Sequence, residues 1–95
     1  MIDARPGDPP RLAAKRVRWR KESFGFLLHD AATDRLFEGN QLGAQVLALI
    51  DGERSVREIA AAVSPRYGVD RGRVEADVAD FVEAMRRAEL LADAP

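Results

Sequence analysis

The apolar residues of this chain change their period once, at Asn40, and that switch limits what the chain can fold into. Up to Gly39 they follow the two-residue repeat of a strand, and from Leu42 onward they follow helical spacing. In KRVRWRKE, Lys15 to Glu22, the residues Arg16, Arg18 and Arg20 alternate with Val17, Trp19 and Lys21. This predicts a first strand with one basic face and one mostly apolar face. In FGFLLHD, Phe24, Phe26 and Leu28 share one face, while Gly25, Leu27 and His29 share the other. AATD, Ala31 to Asp34, is a hairpin connection without the Asn-Gly or Asp-Gly signal of a two-residue turn. RLFEG, Arg35 to Gly39, is a short third strand, and the three together predict an antiparallel meander.

Helices follow. Asn40 is a capping residue type, with Leu42, Val46, Leu49 and Ile50 behind it at helical spacing. Asp51-Gly52 stops this helix, with Gly52 expected in the left-handed position after the cap. Ser55-Val56-Arg57-Glu58 has the form of a capping box. Val56, Ile59, Ala60, Val63 and Tyr67 form the stripe of a second helix. Pro65 lacks an amide proton, so this helix is either kinked in its last turn or ends near Val63; Gly68 breaks the pattern. Asp70 caps a longer third helix with the stripe Val74, Val78, Phe81, Val82 and Met85, continuing to Leu90 and Leu91. Segregated strands and helices predict an α+β domain with its helices on one face of the sheet, and a winged helix-turn-helix-like arrangement fits the order. Residues 1–14 have Pro6, Pro9 and Pro10 and no periodicity. They read as a flexible arm or a short extended one, ahead of a single domain over residues 15–92.

Composition removes several classes of function. Ninety-five residues, 46% hydrophobic and 33% charged, describe a globular chain with one modest core. A formal net charge of −1 attracts the chain as a whole to neither nucleic acid nor acidic membranes. With no cysteine there is no disulfide, thiolate catalyst or cysteine metal site, as suits a reducing cytoplasm. No apolar run reaches the roughly 18 residues of a membrane helix. Asp3, Pro6, Asp8, Pro9 and Pro10 stand where a secretory signal needs apolar residues, so a cytoplasmic location is expected.

Residues that could carry chemistry are few. His29 is the only histidine, and neither a cysteine nor a second histidine is present to complete a site with it. Asp77 and Asp80 lie on a helix surface dense in charge, where solubility explains them. Gly39 and Gly43 flank a helix start without a phosphate-binding motif around them. The expectation is a chain that is not an enzyme and needs no cofactor or metal. Lys15, Arg16, Arg18, Arg20 and Lys21 could face nucleic acid, but the middle of the third helix carries Glu75, Asp77, Asp80 and Glu83, which repel phosphate. A winged-helix nucleic-acid-binding protein is therefore the alternative reading. The third strand is an edge in a sequential meander, with apolar Leu36 and Phe37 on its opposite faces. Either both fill the core, or the edge accepts an extended peptide as an added strand; pairing with a second copy would use the same edge.

Four stretches in order, ESFGFLLHD, RLFEGN, IDGERSVREIAAAV and YGVD…VEADVADFVEAM, resemble the PqqD-like family. These are the small peptide chaperones of pyrroloquinoline quinone biosynthesis and their relatives, also called RiPP recognition elements. The resemblance runs from Val17 to Leu91. It implies a winged helix-turn-helix-like fold of three antiparallel strands and three helices. It also implies a function: holding the leader of a ribosomally made precursor peptide for a modifying enzyme, often a radical SAM enzyme. Phe24-Gly25 followed by Leu27-Leu28 is most similar to stand-alone relatives that accompany radical SAM enzymes. In the family the leader adds to the third strand and lies against the third helix. Mapped here, the docking edge is Arg35, Leu36, Phe37 and Glu38, and Val78 belongs to the helix behind it. The flank carrying Val82 and Arg86 is favoured as the groove wall because Val82 extends the apolar stripe; the flank with Asp77 and Ala84 is the rival.

Overall fold

Strand pairing in the computed structural model, which describes residues 9–66 and 70–92, follows the alternation of the sequence. Strands β1 (Val17–Glu22), β2 (Gly25–Asp30) and β3 (Arg35–Gly39) form an antiparallel sheet in the order β1-β2-β3. The register sets Trp19 opposite Leu28 and Leu28 opposite Phe37, so these three form one row on the inner face. Arg18, His29 and Leu36 form a row on the outer face, which carries no helix among the described residues. Phe24 departs from expectation. It lies in the turn between β1 and β2, not in β2, and is 50% exposed.

Helices α1 (Gln41–Leu49), α2 (Val56–Val63) and α3 (Arg71–Arg87) cover the inner face, giving the expected α+β architecture. Their starts are capped by the residues the sequence singles out. Asn40 accepts from the Gly43 amide at 3.0 Å, and Asp70 accepts from the Gly72 amide at 3.1 Å. Ser55 and Glu58 close the capping box with bonds of 3.1 and 2.9 Å. The Ser55 amide holds the Glu58 carboxyl below its usual range. α2 ends at Val63 and Pro65 sits in a 3₁₀ turn, Ser64–Arg66, so the proline ends this helix without kinking it. The expected contributions of Tyr67 and Gly68 lie outside the described residues.

Two helix ends differ from the sequence reading. α1 closes on Ile50 in an extended conformation, and the left-handed residue is Gly52, two positions further on. α3 stops at Arg87 and does not run on to Leu91. Its end is a Schellman motif without glycine: Glu89 takes φ +62°, its amide donates to the Arg86 carbonyl, and the Leu90 amide donates to the Met85 carbonyl. Leu90 is thereby turned back into the core.

Residues 9–14 lie against the end of the chain and the α1–α2 connection. The Pro10 and Arg11 carbonyls accept from the Gly52 and Ala92 amides, the Ala13 amide donates to the Leu90 carbonyl, and Leu12 bridges Leu91. The core closes over Leu28, Val46, Ile59, Val63, Val78 and Val82, all 2% exposed or less. Among the described residues no helix is long and apolar enough to cross a membrane.

Candidate functional site

Among the described residues β3 has β2 on one side only, so its other edge offers unpaired backbone groups. Alternation sends Phe37 inward, half-buried against the core, and leaves Leu36 outward and 67% exposed. Leu36 therefore does not fill the core, which settles the first of the two readings of this strand against it. The guanidinium of Arg35 lies 4.7 Å from the centre of the Phe37 ring, within cation–π range. Between this edge and α3 runs an open groove of about 280 Å³, lined by Phe26, Leu28, Phe37, Glu38, Phe81, Ala84, Met85, Ala88 and Leu90.

The groove owes its shape to two aromatic rings and a glycine. Phe26 and Phe81 meet edge to face with centroids 5.8 Å apart. A side chain on Gly43 would stand 2.5 Å from the Phe26 ring and 3.0 Å from that of Phe81, so only glycine on α1 leaves both rings in place. Further along α3, Ala84 and Ala88 are small enough to leave room between helix and strand.

The structure corrects the favoured flank of α3. Val78 and Val82 are 0% and 2% exposed, belong to the core, and do not line the groove. At about 100° per residue, Val82 and Arg86 lie about 160° around the helix from Ala84. Glu75 on the same side reaches Arg57 of α2 at 3.5 Å, so this flank faces α2. Arg86 is engaged by Glu83 at 3.3 Å. Asp77, kept as the rival, lies only about 20° from Ala84 on the same helical count and is exposed. Of the expected residues, Phe37 and Glu38 line the groove, Arg35 and Leu36 sit on its edge strand, and Asp77 continues its helical face. Phe81, Ala84, Met85 and Ala88 are its helical wall; of these Ala84 was placed on the rival flank, and Phe81 and Met85 were placed in the core stripe.

Other candidates stand apart from the groove. His29 is on the outer face, its Nε2 2.8 Å from Asp34. Arg16, counted in the basic strand, precedes β1. It binds the buried Asp30 carboxylate at 2.9 Å and also the Glu89 carbonyl, tying the sheet to the end of α3. Burial pushes the Asp30 carboxyl up, but hydrogen bonds from the Ala32 amide, Arg16 and Thr33 outweigh it and hold the group below its usual range. Alternation places Asp30 on the inner face with Phe26 and Leu28, but nothing in the sequence pairs it with Arg16. Arg20 is paired with Glu22, which reduces the free positive charge on β1.

A three-stranded sheet backed by three helices, with one open edge beside an apolar groove, defines a winged-helix-type binding domain. The family profile for "Coenzyme PQQ synthesis protein D (PqqD)" matches residues 25–91. The chain belongs to the PqqD family. It is 26% identical over 87 residues to a PqqA binding protein from Xanthomonas oryzae pv. oryzae (strain PXO99A), covering 92% of each chain. Its structure is similar to that of TbiB1, solved in complex with the TbiA(β) leader peptide. There the TM-score is 0.76 and the identity 26%, with 90% of this chain and 98% of that one covered. It is also similar to the PqqD truncation of Methylobacterium extorquens PqqCD, a functional stand-alone RiPP recognition element. In that comparison the TM-score is 0.71 and the identity 27%, with 87% of each chain covered.

Proposed function

We propose that this protein binds the leader of a ribosomally synthesised precursor peptide as a fourth strand on β3 and presents it to a modifying enzyme. The observation that carries the reading is the unpaired β3 edge beside the apolar groove of Phe37, Phe81, Ala84, Met85 and Ala88. The relatives support it: one is a PqqA binding protein and another was solved with a leader peptide. About four backbone hydrogen bonds along Arg35–Gly39 contribute roughly 2–6 kcal/mol before the cost of ordering a peptide. Micromolar affinity, about −8 kcal/mol, therefore requires side chains seated in the groove.

The protein supplies binding and orientation, and the chemical step belongs to its cytoplasmic partner, a radical SAM enzyme in the reading that the second-strand resemblance favours. The same edge is open to a second copy of the chain, which a leader would displace. Nucleic-acid binding finds less support, because Arg16 is held by Asp30, Arg20 is paired with Glu22, and Asp77 and Asp80 are exposed on α3. The test is a titration of the full chain with the leader of its precursor, followed by backbone chemical shifts. Changes should concentrate in Arg35–Gly39 and Phe81–Ala88. Changes confined to β1, or binding that collapses with modest salt, would refute strand addition at β3.

A further inference from the structure

The groove is charged oppositely at its two ends. Phe26 pairs across the sheet with Gly39 and meets the Phe81 ring, so the Gly39 end of β3 lies against the middle of α3. Asp30 pairs with Arg35 and is joined through Arg16 to the Glu89 carbonyl, so the Arg35 end lies at the close of α3. β3 therefore runs opposite to α3. At the Gly39 end, Glu38 is exposed on the outer face of the strand, and Asp77 continues the helical face of Phe81 and Ala84 by about one turn. Arg35 stands at the other end, over the Phe37 ring. None of Arg35, Glu38 and Asp77 has an ion-pair partner among the described residues. An added strand would meet a carboxylate at the Gly39 end whichever way its side chain points: Glu38 if outward, Asp77 if inward.

We propose that the groove selects leader segments by the order of their charges. The preferred segment has Lys or Arg at the Gly39 end, large apolar side chains over Phe37, and Asp or Glu at the Arg35 end. Arg35 to Gly39 is four strand steps, about 13 Å, so the two charges stand about four residues apart. Antiparallel pairing is the more stable kind and puts the leader's N-terminal side at Gly39. The order from the leader's N-terminus is then basic, apolar, acidic.

This inference rests on leader docking at β3, and three short synthetic peptides with one apolar centre separate the two ideas. One carries Lys before and Glu after that centre, one has the two exchanged, and one has Gln at both places. Titrated into the full chain at low salt, the first should bind at least about fivefold tighter than the second, because two exposed ion pairs replace two repulsions. The triply substituted Arg35→Gln, Glu38→Gln, Asp77→Asn chain, folded by circular dichroism, should bind all three alike. Equal affinity of the three peptides for the unaltered chain would overturn charge selection and leave docking standing. A preference for the exchanged order, or one that survives in the substituted chain, would overturn the assigned order or residues. Binding of none would overturn docking itself, and charge selection with it.

Discussion

Aspartate at Val82 and aspartate at Ala84, two residues apart on α3, should fail in different ways. Val82 is 2% exposed. Replacing it removes apolar burial of about 1.5–3 kcal/mol and buries a carboxylate with no partner, at a further cost of about 1–3 kcal/mol or more. The total, roughly 3–6 kcal/mol, is a large part of the stability of a 95-residue domain, about 5–14 kcal/mol. Val82→Asp should therefore melt early or not fold. Ala84 is exposed, and the same change there costs only the helix propensity of aspartate, about 0.7 kcal/mol. It does place a charge on the groove wall beside Met85 and Ala88. Seating one apolar leader side chain there should lose 1.4 kcal/mol or more, about tenfold in affinity. Urea melts by circular dichroism and anisotropy titrations with a labelled leader read both effects. A Val82→Asp protein that melts like the parent would refute the burial of that flank. A folded Ala84→Asp protein with full affinity would refute the groove.

Ser55→Ala should lower stability by about 1 kcal/mol by removing the cap of α2, with leader affinity unchanged; an unmoved urea midpoint would contradict the capping box. Asp30 should make the fold acid-sensitive. Its folded pKa is lowered, so its contribution is present above the unfolded value of about 3.8 and is lost as pH falls through the folded value. Asp30→Asn should reduce stability at pH 7 and flatten the decline below about pH 4, and stability–pH profiles that remain parallel would contradict this. Glu89→Gly should stabilise by about 0.5–1 kcal/mol, because glycine adopts the left-handed conformation of the α3 terminus without the penalty of a side chain; thermal melts would show it.

The strands, the helix caps and the fold class were legible because they are local properties. Alternation marks Phe26 and Leu28, and a serine three residues before a glutamate marks the start of α2, whatever lies elsewhere. The groove wall was not legible, for a physical reason. A helical wheel shows that Val74, Val78, Val82 and Met85 form a stripe, but not which neighbour meets each flank. That depends on how α2 and the sheet divide the surface of α3 between them. α2 took the side with Val82 and Glu75, leaving Phe81, Ala84 and Ala88 to β3. The alanine pair at i and i+4 was the available signal, since small residues there let a strand approach. The pairing of Asp30 with Arg16 was hidden because Arg16 lies outside the strand in which it was counted. The end of α3 was hidden because its left-handed residue is a glutamate and not a glycine.

Backbone pairing along β3 is blind to sequence, so it cannot by itself distinguish one extended peptide from another. A strand edge that bound every such peptide would also bind its own copies and aggregate. This protein limits that hazard by keeping β3 to five residues and placing Arg35 and Glu38 on it, exposed. In the proposed reading discrimination falls to the groove, whose wall of Phe81, Ala84 and Ala88 sits at the margin of the core while Val78 and Val82 fix α3 from the other side. In the proposed reading different faces of the helix carry stability and recognition, and the exposed Ala84 can change its chemistry at a cost of about half a kcal/mol, within the range for surface positions. That separation is what a domain needs if one fold is to serve many different leaders.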